Sequence, residues 1–142
     1  MNLSAKDRAF LEATHSAAMI TVGADGVPKA VRVGVVVVDG RLWSSGTADR
    51  VRTRRLRADP RCTLYVHDAG HGYLTLETTV RVLDGPDAPD LSLRLFRTMQ
   101  NRPAGPLMWY GKTLDEDAFV AAMIDEKRLV YEFDIHRAYG MH

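Results

Sequence analysis

Short alternating or β-branched blocks fill most of the first half of the chain, and apolar positions take helical spacing only in separate segments. Ser4 followed by Asp7 predicts a helix start with a capping side chain and an acidic first turn. Ala9, Phe10, Ala13 and Ala17 continue it at helical spacing. Ala18 to Val22 reads as a strand and Ala24-Asp25-Gly26 as a hairpin turn, because Asp-Gly enters positive φ at little cost. Pro28 opens a second strand running to Val38. Asp39-Gly40 repeats the turn chemistry, and Arg41 to Ser45 form a third strand, so the start of the chain predicts an antiparallel meander. Gly46-Thr47 breaks the pattern. Thr47 is expected to cap a short helix to about Ala58, which Asp59-Pro60 ends because a residue before proline is pushed out of the α region.

Strands over Arg61–His67 and Tyr73–Leu83 follow, and Asp84-Gly85-Pro86-Asp87 closes the strand block. Asp90 to Arg102 predicts a helix with Leu91, Leu95, Phe96 and Met99 on one face. The Pro/Gly-rich stretch from Asn101 to Lys112 reads as a loop. Asp115 caps a helix through Lys127, with Phe119, Ala122 and Met123 inward. In a last strand from Arg128 to Ile135, Leu129, Tyr131, Phe133 and Ile135 alternate with Val130, Glu132 and Asp134. About six strands and four short helices, without βα alternation, predict a mainly β fold: an antiparallel barrel with peripheral helices.

The length of 142 residues suits one domain, spanning 1–142, and an apolar content of 46% supports an ordinary core. A net charge of +1 offers no global field for a polyanion. Cys62, the single cysteine, can form neither an internal disulfide nor a Cys-rich metal site, which suits a reducing compartment. The charged N-terminus lacks the apolar run of a signal peptide. Val33 to Val38, broken by Gly34, falls far short of the ~20 residues that span a bilayer. Together these predict a soluble, cytoplasmic protein.

Charge is concentrated in one place. Arg50, Arg52, Arg54, Arg55 and Arg57 fall within the segment Arg50 to Arg57. At ~100° per residue, Arg50, Arg54 and Arg57 share a face that solvent can serve. Arg52 and Arg55 turn toward the side of Ala48, Val51 and Ala58, where a guanidinium drawn toward the protein body needs an anion. A phosphate near the helix N-terminus would satisfy both the cations and the free backbone N–H groups. A solvated helix face and nucleic-acid binding are the other readings of the same run. The second lacks a recognition motif and interleaved aromatic residues.

Ser44-Ser45-Gly46-Thr47 brings small hydroxyls to the same neighbourhood, as a ring or phosphate edge or as an ordinary turn. The five histidines show no helical metal spacing, and no Gly-x-Ser-x-Gly, Walker or Gly-x-Gly-x-x-Gly motif is present. Glu77 is a lone strand carboxylate suited to pair with an arginine. Trp43 fits a core position, whereas Trp109-Tyr110 in a Pro/Gly stretch suits a pocket wall or a subunit contact. So little acid–base equipment points to chemistry carried by a cofactor.

Taken in order, these segments resemble the pyridoxamine-phosphate-oxidase-like split β-barrel superfamily, and within it the actinobacterial subgroup of coenzyme F420-dependent reductases. The resemblance covers nearly the whole chain. It rests on Ala18 to Val22 with the Asp25-Gly26-Val27-Pro28 hairpin and on Leu42 to Leu56 followed by Asp59-Pro60-Arg61-Cys62. The ending His136-Arg137-Ala138-Tyr139-Gly140 adds to it. It implies a six-stranded antiparallel split β-barrel acting as a homodimer, with two cofactors in grooves between subunits. It also implies that Arg50, Arg52 and Thr53 hold a cofactor phosphate, that Arg32, Val33 and Gly34 pass the isoalloxazine-type ring with backbone contacts, and that Ser44 and Ser45 lie along the groove. Arg52 stands where the family commonly has lysine, and Glu77-Thr78 where relatives often carry Glu-Gly. The expected function is hydride transfer from reduced deazaflavin F420 to an organic acceptor. FMN is the alternative cofactor, and a non-catalytic flavin or deazaflavin carrier the alternative role.

Overall fold

The computed structural model describes residues 3–142. In chain order its elements are α1 (Ala5–Ala13), β1 (Ser16–Val22), β2 (Pro28–Gly34), β3 (Val36–Val38), β4 (Arg41–Thr47), α2 (Val51–Ala58), β5 (Arg61–His67) and β6 (Tyr73–Leu83). They continue with α3 (Ala88–Gln100), β7 (Leu107–Trp109), β8 (Lys112–Leu114), α4 (Glu116–Asp125) and β9 (Arg128–Met141). The expected punctuation is local and it holds. Ser4 accepts from the Asp7 N–H at 3.1 Å and Asp115 from that of Ala118 at 2.8 Å, each covering a free donor of a helix start. Asp39 and Gly40, at φ 50° and 75°, make the tight β3–β4 turn.

Seven strands form one curled antiparallel sheet in the order β2-β1-β5-β6-β9-β4-β3. The strand expected from Pro28 to Val38 is divided: β2 pairs with β1 at one edge of the sheet and β3 with β4 at the other. The meander expected at the start of the chain is therefore corrected: in the expected split barrel, built on seven strands rather than six, the two sheet edges are neighbours in sequence, joined through Val35. The Val35 N–H donates to the His15 carbonyl at 2.9 Å and the Ser44 hydroxyl to the Gly34 carbonyl at 2.6 Å, which fastens this seam.

Other expectations are revised by non-local packing. Ala17 belongs to β1 rather than to the first helix. Gly46 and Thr47 continue β4 against Leu129 and Arg128 instead of ending it. Arg50, not Thr47, is the N-cap of α2. The expected loop from Asn101 to Lys112 contains β7 and enters β8, a small hairpin. The last strand runs on to Met141, paired along β6 with a register shift at Glu77/Thr78, so the bend sits there without a glycine. Glu77 faces Arg137 across that pairing.

The barrel interior is one apolar cluster that includes Met19, Leu42, Leu64, Leu76 and Tyr131, with Leu11 of α1 and Leu56 of α2 packed into it. Cys62 is free and buried there, and desolvation pushes its thiol up to about 12. On the outside, α3 covers β3, β4 and the start of β9 through Leu95, Trp43 and Val130. A satellite cluster of Leu107, Phe119 and Met123 fixes β7 and α4 to it. Beside Trp43, buried Glu132 accepts from Trp43 Nε1 at 3.0 Å, Arg81 at 3.2 Å and Arg41 at 3.4 Å. Both arginines are solvent-exposed and will rehydrate, so the loss in Glu132→Ala falls mainly on the Trp43 N–H. The expected cost is about 2 kcal/mol, a fall in Tm of roughly 6 °C by calorimetry.

Candidate functional site

A cleft of about 320 Å³ opens where β2, β4 and α2 of the barrel face α3, the β7–β8 hairpin and the first residue of β9. Arg32, Val33, Gly34, Ser45, Arg50 and Arg52 line it from the barrel side, and Phe96, Met99, Trp109, Tyr110 and Arg128 add to it.

Strand alternation decides which serine takes part. Ser44 shares the inward face with Tyr131, its register partner, and is fully buried while it donates to the Gly34 carbonyl. Ser45 turns the other way, toward the cleft, and its hydroxyl is buried without a hydrogen-bond partner. Helix α2 divides its residues in the same manner. Thr53 and Leu56 point into the protein. Thr53 Oγ1 donates to the Thr47 carbonyl at 2.7 Å and shares a short hydrogen bond with the Tyr131 hydroxyl. Of the residues implied by the resemblance, six thus meet around one cleft, while Ser44 and Thr53 stand behind it and hold its backbone.

The expected helix orientation is corrected too. Val51 is exposed, and the inward side is that of Thr53 and Leu56, flanked by half-buried Arg52 and Arg55. Arg50 does not share the solvated face of Arg54 and Arg57. As the N-cap it bends into the cleft, with Nε donating to Thr47 Oγ1 at 3.2 Å. Burial, then the nearby charges of Arg52 and Arg128, hold its pKa below the ordinary arginine value.

Arg52 reaches the Ser45 carbonyl through Nη2 at 3.4 Å, its guanidinium carbon 6.0 Å from the centre of the Tyr131 ring, while its Nε is buried and unpaired. Neither Arg50 nor Arg52 has a carboxylate partner among the described residues. Arg128 has one: Nε and Nη2 both donate to Glu126 Oε1, at 3.0 and 2.9 Å. The cleft is cationic at this end and apolar toward Phe96 and Met99. Gly34 permits that wall to approach, since a Cβ there would lie 3.2 Å from Met99 Cε.

Phe96, Met99 and Arg128 were not legible as cleft residues. Phe96 and Met99 carried only a helical-face signal, and Arg128 only the oddity of a cation heading an apolar strand. Trp109 and Tyr110 do line the cleft. Trp109 packs edge-on against Phe96 and Phe119, with Nε1 donating to Glu126 Oε2 at 2.8 Å. No helix among the described residues is long and apolar enough to cross a membrane.

The sequence profile described as pyridoxamine 5'-phosphate oxidase matches residues 3–142. No curated protein matches the chain. Among solved structures, a conserved hypothetical protein of Mycobacterium tuberculosis is 22% identical over 97% of this chain and 84% of its own, with a TM-score of 0.75. An F420 reductase is 18% identical over 93% and 94%, with a TM-score of 0.67. A FAD-binding protein of Mesorhizobium loti is 18% identical over 97% and 94%, with a TM-score of 0.63. At these identities the likeness is one of fold.

Proposed function

The chain belongs to the pyridoxamine 5'-phosphate oxidase family, and on that premise we propose that it is an F420-dependent reductase. FMN is the second choice of cofactor. Its fold is shared with an F420 reductase and a FAD-binding protein. The observation that carries the reading is the cationic end of the cleft. The charges of Arg52 and Arg128 bear on Arg50 there, the carboxylate of Glu126 pairs with Arg128 and with neither of the other two, and the Arg52 Nε and Ser45 Oγ are buried without partners. Desolvated donors left unpaired cost free energy, and an anionic phosphate removes that cost. These residues therefore fit the phosphate of a flavin-type cofactor.

Bound there, such a cofactor supplies the hydride. The chain's own contribution is binding, orientation and exclusion of water. Arg50, Arg52 and Ser45 would hold the phosphate, and Arg32 to Gly34 would offer backbone groups along the ring. Phe96, Met99 and Trp109 would keep the apolar end dry. Thr53 and Tyr131 keep α2 in place behind them.

The reading includes a homodimer. While α3 covers one part of the sheet's outer surface, the part formed by β5, β6 and the end of β9 carries exposed Tyr65 and Tyr139. Tyr65 stacks on Tyr73 there at 5.2 Å, and Tyr139 and Met141 are 46% and 71% exposed. The register aligns Ala18, Tyr65, Thr75 and Tyr139 in one row. An aromatic face of this kind is what a self-complementary interface uses. Sedimentation is expected to give twice the 15.8 kDa mass of the chain, and a monomer at micromolar concentration would remove the dimer from the reading.

Fluorescence titration with F420 and, separately, FMN tests the cofactor. Tighter binding of F420 supports the reductase, and the reverse preference moves the protein to FMN chemistry. Binding of neither ends the reading.

A further inference from the structure

Tyr110 occupies a position that does not suit it. With Gly111 it forms the tip between β7 and β8, at φ 48° and 77°, and such tips favour asparagine or aspartate before glycine. A side chain there costs about 1–2 kcal/mol. Packing offsets little of this, because Tyr110 is 76% exposed and meets Trp109 only edge-on at 4.9 Å. What the position does achieve is to hold the phenol at the cleft, where Arg128 Nη2 donates to its oxygen at 3.2 Å. Backbone strain kept without a packing return is a mark of ligand handling.

Arg128 is a fixed support. Its guanidinium is held by Glu126 and lies 5.1 Å from the Trp109 ring centre, and Trp109 is tied to the same carboxylate. Glu126 offsets its charge. The Arg128 donation occupies a lone pair of the Tyr110 oxygen and polarises its O–H, whose proton meets no acceptor among the described residues. Arg50 and Arg52 line the same cleft from α2.

We propose that Tyr110 is the second jaw of the anion site: its hydroxyl donates to a ligand phosphate held by Arg50 and Arg52, and Arg128 positions that hydroxyl. The inference rests on the cofactor reading above and adds a ligand-binding residue from outside the barrel. A neutral donor suits the task, since a further unpaired cation beside Arg50 and Arg52 would add repulsion.

Tyr110→Phe removes the hydroxyl and keeps the ring. It is expected to lower affinity for FMN about five- to tenfold and leave that for riboflavin, the same ring without phosphate, unchanged. Tyr110→Asn, which suits the turn, should show the same selective loss with a Tm at or above that of the wild type. Unchanged FMN affinity in Tyr110→Phe, or an equal loss for riboflavin, overturns the assignment. If the wild type binds neither FMN nor F420, the cofactor reading falls separately and inorganic pyrophosphate decides the subsite. A pyrophosphate-induced rise in Tm that shrinks in Tyr110→Phe supports it, and equal rises or none overturn it.

Discussion

Replacing Arg52 by alanine is expected to lower affinity for F420 and FMN by about ten- to a hundredfold, the range of a lost hydrogen bond to a charged group. Fold stability should hardly change. The Arg52 side chain gives the protein one long hydrogen bond to the Ser45 carbonyl, at 3.4 Å, and a distant approach to the Tyr131 ring at 6.0 Å, and leaves its Nε without a partner. Its removal also relieves repulsion on Arg50, whose charge it disfavours. The ligand-free variant is therefore expected to melt within a few degrees of the wild type and to keep the same oligomeric state. Arg52→Lys should recover part of the affinity, because it restores the charge but not the planar fork. Titration and calorimetry on the same preparations separate the two effects. Undiminished affinity in Arg52→Ala would take this residue out of the site.

The second large effect is expected at Gly46, and it acts on folding first. A Cβ at this position would lie 2.3 Å from the Tyr131 hydroxyl oxygen and 2.4 Å from its ring carbon Cζ. Tyr131 has nowhere to go: it is fully buried in the barrel and its hydroxyl is bonded to Thr53 of α2. Gly46→Ala must displace the ring, the helix or the β4–β9 pairing. The expected loss is about 3 kcal/mol or more, roughly 10 °C in Tm. Cofactor affinity should fall with it, because the Thr53–Tyr131 bond helps to set the helix that carries Arg52. A companion change, Tyr131→Phe, is not expected to rescue Gly46→Ala, because the ring carbons Cζ and Cε2, 2.4 and 2.7 Å from the new methyl, remain. If Gly46→Ala melts like the wild type, the close approach of β4 to Tyr131 is wrong.

Features set by neighbouring residues were legible in the sequence. The caps at Ser4 and Asp115, the turns at Asp25-Gly26 and Asp39-Gly40, the stop at Asp59-Pro60, and strands β5 and β6 all follow from local chemistry. What escaped depends on distant partners. Pro28 to Val38 reads as one strand because its β-branched residues say nothing about which neighbours they pair with, yet the chain changes edges at Val35. Gly46 reads as a break because its reason for being glycine, the Tyr131 ring, is 85 residues away in sequence. The same division applies to the cleft. The arginine cluster stood out as a local excess, and the resemblance tied Arg32 to Gly34 to it. Alternation along β4 could have set Ser44 apart from Ser45 once its inward face was known. Arg128, Phe96 and Met99 reach the cleft only through the packing of α3 and β9, which has no signature in their own segments.

The place of β9 in the sheet has a consequence for biosynthesis. It lies between β6 and β4, and among the described residues it is the last strand of the sheet to be synthesised. Until it arrives, β6 and β4 each present an unpaired edge, and the curled sheet is in two pieces. A nascent chain in this state depends on chaperones or on speed to escape edge-to-edge aggregation. Messages truncated anywhere within β9 should yield insoluble or degraded product rather than a shortened functional barrel.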